Sequence, residues 1–184
     1  MTNIIIRDGI ERVTMREIAA EAGYAHGAIA RYFPNKQSLL TEAFLRVFED
    51  SNERVIERAS HVRGLDALDR MCREILPFND IGSTRSRIVL SFWDRAAQDE
   101  ELWQIHHDNI MKRRALIQRF LLEAQEDGEL DDSVNIEVAV EEVSARNAGW
   151  QMLAVLVPEA TSDAVLNAGL RSLINSFRAT PRED

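Results

Sequence analysis

The stretch that most constrains the fold of this chain is Thr14–Lys36, with the sequence TMREIAAEAGYAHGAIARYFPNK. Thr14 and Glu17 have the T-x-x-E spacing of a capping box, in which hydroxyl and carboxylate bind free backbone N–H groups at a helix start. Gly23 supplies the positive φ with which helices commonly end, and a second short helix is expected over Ala25–Arg31. Two short helices joined by a glycine turn are typical of a helix-turn-helix, whose second helix enters the major groove of DNA.

The second short helix is expected to direct Ile29 inward, between Tyr24 and Tyr32, and to expose the side chains that contact bases. Asn35 is expected to cap the following helix, whose N-terminal N–H groups attract phosphate. Residues expected near base edges are His26, Gly27, Ala28 and Arg31, and those expected on phosphates are Thr14, Arg16, Tyr32 and Lys36. These eight residues form the predicted DNA-binding set.

The runs T-M-R-E-I-A-x-E-A-G, G-A-I-x-x-Y-F and P-N-K-x-x-L-L resemble the DNA-binding domain of the TetR family of bacterial transcriptional repressors. Ala30 stands where the family often has Tyr, which resembles the choline-responsive, BetI-type branch. Ala25 replaces the Ser or Thr that often caps the recognition helix, a loss of roughly 0.5–2 kcal/mol of local stability. The segment FWDRAAQDEELW and the later NAGW also resemble the C-terminal domain of that branch.

The resemblance implies a ligand-responsive repressor that binds double-stranded DNA as a homodimer at a pseudo-palindromic operator. A small-molecule inducer of unknown identity would bind the C-terminal domain and release the operator. Residues 1–8 resemble the tail of a first helix that is short for the family. Either the true start codon lies upstream of Met1, or the domain tolerates the loss of the basic N-terminal arm that many relatives use near the minor groove. In both cases we expect the chain as given to bind DNA more weakly.

Net charge at first argues against a nucleic-acid partner, because the chain carries −9 at neutral pH. Residues 1–46, however, hold six basic and five acidic side chains, a net of +1, whereas the remaining 16 basic and 26 acidic side chains give −10. A few placed cations can therefore bind phosphates while the acidic remainder is repelled from DNA. No apolar run is long enough to span a membrane and no signal peptide is visible, so we expect a cytoplasmic protein.

Helical periodicity continues through the rest of the chain, and no alternating strand pattern competes with it. We predict an all-α fold of about nine helices, with a helix-turn-helix domain over residues 1–46 and a helical regulatory and dimerisation domain over 47–184. A turn is expected over Asn79–Ser83, followed by a helix over Thr84–Gln98.

The last two long helices carry more apolar residues than one buried stripe needs, which favours a symmetric four-helix dimer contact. The alternative is that these residues only complete the core of one chain. The predicted interface comprises Val140, Val143, Leu153, Leu156, Leu166, Leu170, Leu173, Ile174 and Phe177.

A ligand pocket is predicted from aromatic and polarizable residues of the C-terminal helices. The candidates are Met71, Phe92, Trp93, Trp103, His107, Met111 and Trp150. The tryptophans, with Asp94 and Asp99 nearby, could form an aromatic and acidic cage for a cationic ligand, although tryptophans at helical spacing more often pack in a core.

Other functions have weaker support. Adjacent His106 and His107 point to different helix faces, unlike the i, i+4 pair that shares a metal, and the single Cys72 makes neither a disulfide nor a zinc site. The cluster Lys112–Arg114 is expected to form intrachain pairs on a solvated face.

We predict no metal, no cofactor and no enzymatic activity, because no nucleophile elbow or phosphate loop is present. A protein-interaction module that has lost DNA binding is the alternative function, in view of Ala25, Ala30 and the short first helix.

Overall fold

The computed structural model describes residues 14–21, 23, 25, 27 and 31–179. Within those ranges the regular elements are α-helices, apart from one 3-10 turn at Pro158–Ala160 and one isolated antiparallel bridge between Leu130 and Arg178. The helices are α1 (Met15–Glu21), α2 (Lys36–Ala59), α3 (Gly64–Ile75), α4 (Asp80–Ala96), α5 (Glu100–Glu126), α6 (Ile136–Leu156) and α7 (Asp163–Phe177). The all-α prediction is confirmed.

The described residues contain seven α-helices, whereas the sequence predicted about nine. The expected first helix, over residues 1–8, lies outside the described residues. The expected second helix of the helix-turn-helix is described only in part, with Gly27, Arg31 and Tyr32 in helical conformation. The two predicted helices that are not among the seven are therefore the ones expected in these two segments.

Side-chain caps fix five of the helix starts. In each case a side-chain oxygen of the residue before the helix accepts the backbone N–H three positions later, at 2.8–3.4 Å. The capping residues are Asn35, Asn79, Asp99, Asn135 and Ser162. Each satisfies an N–H group that has no partner inside its helix. The prediction of Asn35 as a cap is confirmed.

The predicted turn at Asn79–Ser83 is wrong, because α4 already begins at Asp80. The small residues that suggested a turn serve close packing instead. A Cβ added to Gly82 would lie 2.9 Å from the Cα of Pro77, closer than atoms of a well-packed chain approach. Gly82 is therefore a contact between α4 and the segment before it.

Two buried clusters form the core. The larger joins the end of α2 with α3, α5, α6 and α7, and the smaller joins the first half of α2 with α4 and the start of α5. In the smaller cluster the Phe44 and Phe92 rings stack with centroids 3.5 Å apart, and Phe44 also contacts Phe48 at 4.9 Å. These aromatic contacts tie α2 to α4 midway along α2.

The predicted dimer residues have two different environments. The majority are at most 6% exposed within a single chain: Val140, Val143, Leu166, Leu170, Leu173, Ile174 and Phe177. The interface prediction is wrong for these seven, because core packing leaves their side chains almost no surface for a partner. Leu153 and Leu156 are 36% and 63% exposed.

No helix in the described part of the chain combines the length and the apolar character that a membrane span requires. The longest helices interleave charged residues with apolar ones. α2 has 24 residues and therefore a length of about 36 Å, and it runs without a break across residues 46 and 47. The division of the chain into two domains at that point stays a prediction.

Candidate functional site

The helix-turn-helix segment begins with the predicted capping box. The Glu17 N–H donates to the Thr14 hydroxyl at 3.3 Å, and the Thr14 N–H donates to the Glu17 carboxylate at 2.8 Å. After α1, Gly23 has φ 73° and its N–H donates to the Ala20 carbonyl at 3.1 Å. The start and the exit of α1 are thus both as predicted.

The predicted DNA-binding residues that the structure describes lie at the surface. Thr14, Arg16, Gly27, Arg31 and Tyr32 are exposed, and Lys36 is half-buried. Tyr32 is 81% exposed, an unusual position for a large aromatic side chain that has no partner to cover it. His26 and Ala28 lie outside the described residues. The individual roles of these eight residues remain predictions.

The start of α2 lies immediately after this exposed surface. The Asn35 side chain accepts the Ser38 N–H at 2.8 Å, and the Ser38 hydroxyl completes a capping box with the Asn35 backbone. The helix dipole places partial positive charge at this end, beside Lys36. This geometry is compatible with a nearby phosphate.

A second candidate site is a cavity of about 70 Å³ enclosed by α2, α3, α4, α5 and α6. Most of its wall is apolar, with side chains such as Val47, Phe48, Val89 and Ile117. The polar part of the wall includes Ser51, Ser144, Asn147 and Gln151, and the charged part is Glu74, Arg85, Arg113 and Arg114. An apolar cavity with a few polar groups is the usual form of a small-molecule site.

Glu74 is the acidic residue of this wall, and its side chain is only 5% exposed. Its carboxylate pairs with Arg54 at 2.5 Å, with Arg85 at 3.1 Å and with Arg58 at 3.3 Å. Burial and the neighbouring Arg54 charge lower the pKa of Arg85. Glu74 pairs with three guanidinium groups, and Asp50 adds only a weaker attraction to Arg85, so this side of the cavity is positive.

Arg113 enters the cavity from α5. Its Nη2 donates to the Asn52 side-chain oxygen at 3.0 Å, and its guanidinium lies 5.0 Å from the centre of the Phe48 ring. Among the described residues, no carboxylate forms an ion pair with it. Burial lowers the pKa of Arg113 to about 10, and weaker attraction to the Glu74 carboxylate opposes the shift. Arg113 is therefore still charged at neutral pH, in a site that stabilises this charge poorly.

Two buried polar atoms of cavity-lining residues have no hydrogen-bond partner among the described residues. They are the Trp93 Nε1–H donor and the side-chain oxygen of Asn147. Asn147 is 4% exposed, and its Nδ2 lies 3.5 Å from the Cys72 sulfur. Burial raises the pKa of the Cys72 thiol to about 12, so it stays protonated. Unpartnered buried groups of this kind are costly, and in a cavity they are available to a ligand.

The seven residues predicted for the ligand pocket are not brought together. Trp93 lines the cavity, whereas Met71 and Phe92 are at most 2% exposed in the core. Trp103 and His107 stack on each other at 5.0 Å on the outer surface of α5, where Met111 is also exposed.

The third tryptophan, Trp150, packs on α7, with its ring where a Cβ on Gly169 would lie. The proposed acidic cage does not form around the tryptophans. Asp94 is exposed, and Asp99 is the N-cap of α5, where its carboxylate accepts the Leu102 N–H. The core-packing alternative therefore fits Trp150 well.

Sequence reasoning missed Glu74, Arg85 and Arg113 as cavity residues. Arg113 belongs to the cluster Lys112–Arg114, which was expected on a solvated face. The expected pairing is correct for Arg114, which pairs with Glu141, and the expected exposure is correct for Lys112, but Arg113 lies in the cavity wall and forms no ion pair among the described residues. Its position between Ile110 and Ile117 on one helical face was the available signal.

The described residues include no group of three or more side chains with metal-binding character. His106 lies among aromatic rings, with its ring centroid 6.0 Å from that of Trp93, while His107 is exposed. Burial, with a contribution from His107, lowers the pKa of His106. As predicted, the two imidazoles do not converge.

Two family models match the chain. Residues 2–43 match the bacterial regulatory proteins of the tetR family, and residues 64–179 match the C-terminal region of BetI-type transcriptional repressors. The second match spans more than half of the chain. It covers the helices α3 to α7, and therefore most of the cavity wall.

Curated relatives and solved structures agree with these matches. The transcriptional regulator PksA of Bacillus subtilis is 28% identical over 58% of this chain and 53% of its own length. BetI of Stenotrophomonas maltophilia is 30% identical over 55% of this chain and 53% of its own length, so the chain spans about half of these relatives. A transcriptional regulator from Saccharomonospora viridis, solved in complex with choline, superposes with a TM-score of 0.88 at 19% identity, covering 97% and 94% of the two chains.

The matched families and relatives are transcriptional regulators rather than enzymes. The structural likeness, at low identity, supports the shared fold. The helix-turn-helix start, the capped α2 and the C-terminal helices all agree with the matched models. The chain therefore belongs to the TetR family of bacterial regulatory proteins and carries a C-terminal region of the BetI-type repressors.

Proposed function

We propose that this protein is a ligand-responsive repressor that binds a pseudo-palindromic operator as a homodimer in the cytoplasm. The exposed residues of the helix-turn-helix segment contact DNA, with Arg31 and Gly27 near base edges. Arg16, Tyr32 and Lys36 hold the backbone phosphates, which fixes the register of the protein on the duplex. A small molecule in the cavity controls this binding.

The observation that carries the proposal is the path of α2. Its first residue, Lys36, belongs to the DNA-binding set, and Phe48 and Ser51 line the cavity. A ligand that shifts this helix therefore changes the position of the DNA-binding surface through one rigid element. Reciprocity requires that operator DNA weaken ligand binding by the same factor by which ligand weakens DNA binding.

The homodimer rests on a revised surface. The end of α6, the residue after it and the start of α7 expose apolar side chains between 36% and 63%. These are Met152, Leu153, Leu156, Val157 and Val165. A cluster of this kind favours contact with a second copy, and two copies supply the two recognition helices that a palindromic operator requires.

A mobility-shift titration with the DNA that flanks the gene tests the proposal. We expect saturable binding by the wild type and at least about tenfold weaker binding by Arg31→Ala, because one base or phosphate contact is lost. Arg46→Ala is the matched control, since Arg46 is exposed and pairs with Asp50 outside the predicted DNA-binding set. Equal affinities of all three proteins would remove Arg31 from the interface.

Complete absence of binding, with both variants folded, would instead favour the protein-interaction module. The choline complex of the Saccharomonospora viridis protein makes choline the first ligand to add to the titration. Release of the operator by choline would show that a quaternary ammonium cation controls this chain, and it would contradict a cavity wall of positive charge.

A further inference from the structure

We propose that the cavity binds a small organic carboxylate with an apolar body, and that the Arg113 guanidinium receives its carboxylate group. This inference deepens the proposed function, because it names the chemical class of the controlling ligand. The observations behind it are the excess of positive charge and the unpartnered Trp93 donor on a wall that is otherwise apolar.

The charge of the wall favours an anion. Glu74 is shared among Arg54, Arg58 and Arg85, so it has little capacity left to neutralise a further cation. Arg113, on the opposite helix, has an amide oxygen and an aromatic face as neighbours, and no carboxylate pairs with it among the described residues. A monoanion at this position would give the buried guanidinium the charge-assisted partner that it lacks. A cationic ligand would meet uncompensated repulsion.

The unpartnered polar atoms fit the same ligand. Trp93 Nε1–H is a donor only, and an anionic oxygen is a suitable acceptor for it. The Asn147 amide can contribute as well, because the protonated Cys72 thiol can donate to its oxygen when the amide turns. Its NH₂ group is then available to the ligand.

The rest of the wall limits the size and character of the ligand. A cavity of about 70 Å³ has room for roughly five water-sized groups. Its apolar lining, which includes Val89, Ile110 and Ile117, suits a short alkyl chain. Because Arg113 contacts Asn52 and Phe48 on α2, a carboxylate that draws the guanidinium away alters the contacts of the helix that leads to the DNA-binding surface.

The test measures ligand binding without DNA, by isothermal titration calorimetry and thermal shift at constant ionic strength. The probes are acetate, propionate and butyrate, with butyramide as the neutral isostere and choline as the cation. We expect at least one carboxylate to bind the wild type and raise its Tm, while butyramide and choline bind at least about tenfold more weakly.

Arg113→Met retains the length of the side chain without the charge, and we expect it to weaken carboxylate binding by about 10- to 100-fold. Arg119→Met is the matched control on the same helix, because Arg119 is exposed and pairs with Glu123. Circular dichroism verifies that both variants are folded. The proposal is overturned if none of the carboxylates binds, if choline binds better, or if Arg113→Met binds carboxylates as the wild type does.

These results separate the ligand proposal from the proposed function. Carboxylate binding that depends on Arg113 in a protein that fails to bind operator DNA would support the site and reject the repressor. Operator binding together with failure of all three carboxylates would reject the ligand class and leave the repressor standing.

Discussion

Replacement of Glu74 by Gln tests the reasoning about the charged side of the cavity. The substitution keeps the size and shape of the side chain but removes the charge that holds Arg54, Arg58 and Arg85 together. The Glu74 side chain is 5% exposed, so the three guanidinium groups would remain close to one another with only the weaker attraction of Asp50 to Arg85. Loss of one partner from a buried charge cluster is one of the few changes that destabilise a protein strongly.

The magnitude follows from the exposure of each arginine. Arg58 is 58% exposed, and its pair contributes less than about 1 kcal/mol. Arg54 and Arg85 are each 28% exposed, and hydrogen bonds to charged groups in such positions contribute about 1.5–3 kcal/mol. Gln retains one acceptor oxygen, so we expect a net loss of about 3 kcal/mol. For a chain of this size that loss lowers Tm by about 6–12 °C.

The assay is reversible thermal or urea unfolding followed by circular dichroism. Arg58→Met is the control, with an expected loss below about 1 kcal/mol, because it removes only the exposed member of the cluster. If Glu74→Gln destabilises the protein by no more than this control, the carboxylate does not hold the cluster together. The inferred charge of the cavity would then need revision.

Three further predictions concern packing and local structure. Gly169→Ala should destabilise the chain by about 1–3 kcal/mol, because its Cβ would lie 2.8 Å from the Trp150 ring. Gly149→Ala is the matched comparison: its Cβ would meet open space, and it should stabilise the helix by about 0.5–1 kcal/mol. The midpoints of denaturant unfolding measure both effects. Cys72 is buried with its pKa raised to about 12, so an aromatic disulfide reagent at pH 8 should label it only after unfolding. Thr14→Ala removes the cap of α1 and should cost about 1 kcal/mol locally, measured by amide exchange in α1.

Helix boundaries were largely predictable because they depend on local chemistry. Thr14 and Asn35 cap helices as their side chains predict, and Gly23 has the expected positive φ. The start of α4 was missed, since the composition around Gly82 resembles a turn. Its small side chain is instead required by the approach of Pro77, a tertiary contact that no local pattern encodes.

The cavity was less predictable, because periodicity places a residue on a face but does not say which face encloses a void. Trp103 and Trp150 looked like ligand contacts, yet one lies on the surface and the other packs against Gly169. Arg113 looked like a surface charge within a basic cluster, and only the packing of α2 against α5 encloses it. The interface prediction failed for seven of its nine residues for a related reason, since α7 directs side chains such as Leu170 and Leu173 into the core of its own chain.

The measurement that tests the central claim most directly is the salt dependence of binding to the DNA that flanks the gene, followed by fluorescence anisotropy. If Arg16 and Lys36 of each protomer neutralise one phosphate each, a dimer neutralises roughly four phosphates, and log K should fall against log salt with a slope of about −3.6. Affinity would then decrease about 150-fold between 50 and 200 mM salt. A flat salt dependence, or no saturable binding at 50 mM salt, would contradict a DNA-binding regulator.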